Sequence, residues 1–172
     1  MENRYGKLTV LVSMNSCEVL SLIETNIHPK ITYLLNSTLT ALQTVISAPH
    51  TIRKPKISEK VFDFTFGIFI GVTGDIRGKL VITGDPTTFG MIGEKVLDMP
   101  IKKDTFISFC SEFANMIADS LSTNIVEDGY HINITSPTIM KGHTQLSGYK
   151  QGIKLPVIMG EIGSFDIHLL LD

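Results

Sequence analysis

The chain has 172 residues, of which 43% are hydrophobic and 19% are charged, and its formal net charge is −2. A chain of this length and composition can bury one sizeable core, so a single domain is expected. The weak negative charge gives no electrostatic reason to expect nucleic acid or an anionic membrane as a partner.

The first 26 residues carry no pattern that assigns them a role. An apolar run over residues 8–12 comes after basic residues, as in a signal peptide, but Ser13 and Asn15 end that run and no cleavage site of small residues is present. No window approaches the roughly 18 apolar residues of a membrane-spanning helix. We therefore expect an N-terminal extension over residues 1–26 and one domain over residues 27–172.

A long helix, a hairpin and a short helix are predicted next. Over residues 29–47 the apolar side chains recur at steps of three and four, which is typical of a helix packed on one side. A β-branched and aromatic stretch over residues 61–73 and a second one over residues 79–83 predict a long hairpin. Asp85 before Pro86 then predicts an N-cap and a short helix that ends near residue 99.

A second long helix is predicted from Asp104, as its cap, to about Asn124. Its predicted core positions are Phe106, Phe109, Cys110, Phe113, Ala114, Ile117 and Leu121. The helical repeat places five polar side chains along one line of the opposite face, namely Ser108, Glu112, Asn115, Asp119 and Ser122. The remaining strand-like segments span residues 131–135, 153–159 and 164–171.

The two halves of the domain resemble each other. Each contains a long helix, a segment with proline and a hairpin whose turn has the pattern Gly-acidic-Ile. Aligning the two long helices places Tyr33 on Glu112 and Asn36 on Asn115. An internal duplication explains this correspondence better than chance.

The duplication predicts the fold. The pseudo-repeats are expected over about residues 29–100 and 104–172. We predict a mixed α/β fold of the α+β type, in which two helix-plus-hairpin units share one antiparallel sheet. A pseudo-twofold axis would place the two long helices side by side on one face of that sheet.

Several chemistries lack the residues that they require. The five histidines show no metal-binding spacing, and Cys17 and Cys110 are too few and too far apart for a zinc site or a disulfide framework. Free cysteines are typical of the reducing cytoplasm, which is the expected compartment. The glycines of the first hairpin lie between two strands, whereas a phosphate loop leads into a helix. No serine lies in a GxSxG context.

Glu112 and Asn115 are the strongest candidate site residues. Their spacing of three places both side chains on one helix face within a turn, so they can act on one target together. Asn has a poor helix propensity and gains little in the middle of a helix unless its amide has a partner. From the residues alone, a plain solvated face and a reaction surface both stay open.

The run of Ser108, Glu112 and Asn115, with Pro137 about twenty residues later, resembles the signature of the CheC and CheX chemotaxis phosphatase family. In that family an Asp or Ser precedes a Glu and an Asn on a long exposed helix. The resemblance extends to the duplicated layout and covers residues 27–172, although Pro137 is one residue closer than in the family form. The first half has Tyr33 where a Glu would stand, so one intact motif is expected, as in CheX.

The resemblance implies a phosphatase that acts on the aspartyl phosphate of a CheY-like response regulator. Asn115 is implied to orient the attacking water, Glu112 to pair with a Lys of the regulator, and Ser108 to support the motif. No cofactor of its own is implied, because the regulator supplies Mg²⁺. A homodimer is also expected, with no nucleic acid and no membrane as partners.

Two other functions stay open at this point. The same fold could serve as a binding or scaffolding module that docks on a signalling protein without hydrolysing anything. It could also be a subunit whose long helices mediate association. Release of phosphate from a phosphorylated regulator distinguishes both of these from a phosphatase.

Overall fold

The computed structural model describes residues 29–172, so Cys17 and the predicted extension over residues 1–26 lie outside the described residues. The helices are α1 (Pro29–Val45), α2 (Pro86–Leu97) and α3 (Phe106–Glu127). The strands are β1 (Thr51–Ile52), β2 (Lys56–Ile57), β3 (Phe62–Gly74), β4 (Gly78–Gly84), β5 (Ile132–Ile134), β6 (Thr138–Leu146), β7 (Gln151–Ile158) and β8 (Ser164–Leu171).

These strands form one eight-stranded sheet in which every pairing is antiparallel. Strands β4 and β8 pair at its centre, with β3 beside β4 and β7 beside β8. Strands β1 and β2 of the first half cover β7, and β5 and β6 of the second half cover β3. The strand order is therefore symmetric about the central pair, as expected for a duplicated unit.

The two long helices carry the same pattern of burial. With Tyr33 aligned on Glu112, six buried positions of the first helical segment coincide with six of the second, namely Ile31, Leu34, Leu35, Thr38, Leu42 and Ile46 with Cys110, Phe113, Ala114, Ile117, Leu121 and Ile125. The helices pack against each other, and the Asn124 side chain donates to the Ser37 carbonyl at 3.3 Å. The predicted fold of two helix-plus-hairpin units on a shared sheet is confirmed, whereas the repeat boundaries stay a prediction.

Aromatic packing links the shorter helix to this core. The rings of Phe89 from α2, Phe113 from α3 and Phe165 from β8 lie with centroids 6.1 to 6.5 Å apart. The predicted start of α2 is confirmed, because the Asp85 side chain accepts a hydrogen bond from Thr87 N–H at 2.7 Å and Pro86 occupies the first turn. This cap satisfies a donor that the helix itself leaves unpaired.

The predicted cap of α3 is wrong. The N-cap position belongs to Thr105, whose side chain makes no capping hydrogen bond, and Asp104 lies before it. The reason is a turn in which both the backbone N–H and the hydroxyl of Thr105 donate to the Lys102 carbonyl, each at 3.1 Å. The helix also continues past Asn124 to Glu127. Its predicted core positions are buried except for Phe106, which is partly exposed.

A proline shapes one edge of the sheet. Pro156 lies in β7, and that strand is covered by β1 and β2. Arg53 N–H donates to the Pro156 carbonyl at 2.9 Å, and the proline has no N–H to return that bond. The pairing is interrupted there, which explains why two short strands cover β7 instead of one long strand.

The face of the sheet away from the helices has its own small buried cluster. His168 lies between Ile167 and Leu169, which belong to the main core, and so points to the opposite face. Its ring stacks on Phe62 with centroids 4.1 Å apart. The pairing of β3 with β6 shifts register between Phe64 and Phe66, and such a bulge bends a strand. We infer that the bend brings Phe62 over His168.

Candidate functional site on helix α3

Helix α3 presents the predicted polar line on its solvent side. Burial of its apolar face against the sheet and α1 decides the orientation. Ser108, Glu112 and Asp119 are exposed, and Asn115 and Ser122 are partly exposed. The three-residue step from Glu112 to Asn115 corresponds to about 4.5 Å along the helix axis. Both side chains can therefore contact the same site on a partner molecule.

Neither candidate residue is engaged inside the described part of the protein. Within residues 29–172 the carboxylate of Glu112 and the amide of Asn115 have no hydrogen-bond or ion-pair partner. The carboxylate can accept hydrogen bonds from a cation, and the amide offers two donors and one acceptor. The structure therefore leaves these groups available to another molecule.

The surroundings of the pair are acidic and partly apolar. Helix α3 contains Glu112, Asp119 and Glu127 but no basic residue. Met116, next to Asn115, is 39% exposed although its side chain is large and apolar. Sequence reasoning missed Met116, and the signal was a methionine four residues after Glu112, close to the polar line. A partner with a cation beside an apolar surface would match this region.

The remaining motif residues, Ser108 and Pro137, lie in different elements of the structure. Ser108 lies in the first turn of α3 and is exposed. Pro137 lies in the short connection between β5 and β6 and is partly exposed. Thr135 in this connection is tied to β3, because its hydroxyl accepts from Gly71 N–H at 2.8 Å.

The corresponding face of the first half differs in chemistry. Tyr33 is 37% exposed, and its ring packs against Tyr130 with centroids 5.0 Å apart. Asn36 is partly exposed. This half therefore presents an aromatic pair and an amide where α3 presents a carboxylate and an amide.

Residues 29–172 contain neither a cluster of metal-binding side chains nor a reactive thiol. Among residues 29–172, no three His, Cys, Asp or Glu side chains lie close enough together to hold a metal ion. Burial raises the pKa of the Cys110 thiol to about 12, despite the opposing effect of Lys141, so Cys110 is not a reactive nucleophile. None of the described helices is both long enough and apolar enough to cross a membrane.

Comparison with known proteins agrees with this arrangement. The family model described as "Chemotaxis phosphatase CheX" matches residues 66–158, which is more than half of the chain and includes all of α3. A relative from Thermotoga maritima, "CheY-P phosphatase CheX", is 26% identical over 125 residues, which cover 70% of this chain and 81% of that protein.

Solved structures show the same fold. CheX from Desulfovibrio desulfuricans has a TM-score of 0.68 and 18% identity, with 81% of this chain and 97% of that chain covered. CheX in the Borrelia burgdorferi complex of CheX, CheY, BeF3 and Mg²⁺ has a TM-score of 0.66 and 17% identity, with 82% and 96% covered. The family model, the curated relative and these shared folds agree: the chain belongs to the CheX family of chemotaxis phosphatases.

Proposed function

We propose that this protein hydrolyses the aspartyl phosphate of a CheY-like response regulator. The observation that carries the proposal is the pair of Glu112, which is exposed, and Asn115, which is partly exposed, on α3 at the spacing of the family signature, with no partner for either side chain among residues 29–172. Two relatives support it by what they are: the Thermotoga maritima protein is a CheY-P phosphatase, and the Borrelia burgdorferi CheX forms a complex with CheY.

Asn115 supplies orientation in this proposal. Its amide oxygen accepts a hydrogen bond from the attacking water, and its NH₂ group donates to a phosphoryl oxygen. The water oxygen bonds to phosphorus as the bond from phosphorus to the aspartate oxygen breaks, so the aspartate leaves as a carboxylate and both water protons leave with the inorganic phosphate. An acyl phosphate is already activated, so positioning of the water is the main contribution required.

Glu112 supplies docking. Its carboxylate pairs with a Lys beside the phosphorylated aspartate, and the three-residue spacing then carries Asn115 to the phosphoryl group. Ser108, one turn before Glu112 on the same face, supports the motif at the edge of the contact. Met116 packs against apolar surface of the regulator and excludes water from the ion pair.

Mg²⁺ belongs to the regulator in this proposal. No cluster of acidic, His or Cys side chains in residues 29–172 is able to hold it. When bound to the regulator, the ion neutralises charge on the phosphoryl oxygens. A site that reacts inside another protein must project from its own surface, which agrees with the exposure of α3.

The decisive test is phosphate release from a phosphorylated CheY-like regulator, with and without this protein. We expect release to accelerate in proportion to the amount of the protein. Tight binding of the regulator with no acceleration would contradict the phosphatase and favour the scaffolding module. Absence of both binding and acceleration would favour a role in association through the long helices.

Glu112→Ala is expected to weaken the affinity for the regulator by at least ~10-fold. The substitution removes an ion pair with the regulator's Lys that becomes desolvated on binding. Calorimetric titration with a regulator activated by beryllofluoride, which mimics a phosphoryl group, measures the effect. Glu127→Ala is the matched control, since Glu127 is an exposed carboxylate at the far end of the same helix. Equal affinities for Glu112→Ala and the wild type would disprove the docking role.

Asn36→Ala is expected to leave turnover nearly unchanged, because the first half lacks the carboxylate that engages the regulator. Surface substitutions of this kind change stability by only a few tenths of a kcal/mol.

In an Asn115→Ala background, Tyr33→Glu would create weak second-site activity. A large loss of activity in folded Asn36→Ala protein would show that α1 takes part in the working site.

A homodimer is proposed on the basis of the edge strand β6. This strand has nine residues and pairs only with β3 among the described strands, so one row of its backbone groups is open to a second copy. We expect light scattering at micromolar concentration to give twice the monomer mass of 19.0 kDa. A monomer mass under those conditions would count against the dimer.

A further inference from the structure

A concave site lies at the end of the molecule away from Glu112. It is a cleft of about 490 Å³, within the range of roughly 300–1,000 Å³ typical of small-molecule sites. The first turn of α1, the turn between β3 and β4, the start of β7 and the end of β8 form its walls. The lining residues that matter are Lys30, Asp75, Arg77, Lys150, Leu171 and Asp172.

One of the two acidic groups of the cleft has a cationic partner. The Asp172 carboxylate forms an ion pair with Lys79. The Asp75 carboxylate accepts a hydrogen bond from the backbone N–H of His131 at 2.8 Å and lies 3.8 Å from the His131 ring. Lys79, outside the cleft, therefore offsets the charge of Asp172, whereas Asp75 keeps its negative charge at the rim.

Two cationic groups of the cleft have no such ion pair among the described residues. Neither the Arg77 guanidinium nor the Lys150 ammonium has an ion-pair partner within the described chain. Lys30 is engaged instead, because its ammonium donates to the Asp75 carbonyl. With Asp172 paired to Lys79, Arg77 and Lys150 outnumber the one remaining carboxylate, Asp75, and this excess of positive charge favours an anion.

The backbone that carries these cations is held rigidly. Lys150 N–H donates to the Leu171 carbonyl at 2.8 Å, and Asp172 N–H donates to the Arg77 carbonyl at 3.2 Å. Gly74 has φ +110°, and a Cβ there would lie 2.4 Å from the His131 carbonyl oxygen, so the turn tolerates only glycine. Leu171 is 7% exposed and adds an apolar surface to the cleft.

We propose that this cleft binds a small phosphate monoester, such as a nucleoside monophosphate. The guanidinium of Arg77 can donate two hydrogen bonds to phosphate oxygens, and Lys150 adds a point charge. Leu171 contacts the organic part of the ligand.

The cleft is separate from the site of the proposed phosphatase reaction. Helix α3 extends about 22 Å from Glu112 to Glu127, at 1.5 Å per residue. His131, which contacts Asp75 at the rim of the cleft, comes just after that end of the helix. A ligand in the cleft would therefore lie far from the Glu112 carboxylate.

Calorimetric titration of the full chain with AMP, inorganic phosphate and adenosine tests the proposal. We expect AMP to bind with a Kd below about 1 mM, inorganic phosphate to bind at least ~5-fold more weakly, and adenosine not to bind. Arg77→Gln and Lys150→Gln should each weaken AMP binding by about 10-fold. Lys95→Gln, which removes the same charge from an exposed position on α2, should leave it unchanged.

Several outcomes would contradict the proposed binding of a phosphate monoester in the cleft. No AMP binding at millimolar concentration, equal binding of adenosine, or equal weakening by Lys95→Gln each contradicts a phosphate site at Arg77 and Lys150. If inorganic phosphate bound as tightly as AMP, the proposed preference for a phosphate monoester would be wrong. Phosphate release from the regulator, measured in the same Arg77→Gln protein, should stay at the wild-type rate, so failure of this proposal is distinguishable from failure of the phosphatase.

Discussion

Asn115→Ala is expected to reduce phosphate release from the regulator by at least ~100-fold while the protein stays folded. Removal of a single group that stabilises or positions the reacting atoms has effects of this size. The side chain is partly exposed and has no hydrogen-bond partner among residues 29–172, so its loss should cost little stability. Single-turnover release of phosphate measures the loss.

The same substitution in the related helix provides the control. Asn36→Ala changes an amide on α1 at the position aligned with Asn115, and it should turn over at nearly the wild-type rate. Asn115→Ala should also retain its affinity for a beryllofluoride-activated regulator, because Glu112 is intact. If Asn115→Ala kept most of its activity, Asn115 would have no part in the mechanism.

Acid is expected to destabilise the protein through His168. The ring is 4% exposed, its Nε2 lies 3.1 Å from the Thr83 hydroxyl and its Nδ1 has no partner in the described structure. Burial lowers the His168 pKa from 6.5 to about 4, while Asp166 raises it and Lys154 lowers it. Between pH 4 and pH 6.5, His168 is therefore protonated more readily in the unfolded chain than in the folded protein.

The sign and size of the effect are set by proton linkage. The stabilisation by neutral His168 is fully present above pH 6.5 and is lost as the pH falls toward 4. At about 1.36 kcal/mol per pKa unit, the loss in the free energy of unfolding approaches about 3 kcal/mol. Urea unfolding between pH 4 and 7.5 measures this dependence, together with a proton NMR titration of the ring.

His168→Gln should flatten that dependence relative to the wild type, and the difference removes the contribution of carboxylates common to both proteins. His143→Gln is the matched control, because the side chain of His143 is 78% exposed. It should reproduce the wild-type curve. Parallel curves for His168→Gln and the wild type, or a ring pKa near 6.5, would contradict the assignment.

Much of the fold could be predicted because neighbouring residues specify it. Apolar spacing predicts helix α1, β-branched and aromatic runs predict the β3–β4 hairpin, and Asp85 with Pro86 predicts α2. The prediction that Asp104 caps α3 was wrong, because an Asp at this point in the sequence can also belong to a turn that precedes the helix. Thr105 closes that turn onto Lys102.

Strand β6 could not be predicted from its own residues. Lys141, Gly142 and His143 in its middle are typical of an exposed loop. The segment is a strand because β3 is long enough to present a row of backbone donors and acceptors that need partners. The same kind of long-range pairing creates β1 and β2.

The sequence by itself determined the relation of Glu112 to Asn115, because helical periodicity depends only on spacing along the chain. It also determined the duplicated layout of two helices and two hairpins. Only the tertiary structure decided that His168 is buried under Phe62 and that Arg77 and Lys150 meet at one cleft. These residues are far apart in the chain, and strand pairing across the sheet, which no local pattern encodes, brings them together.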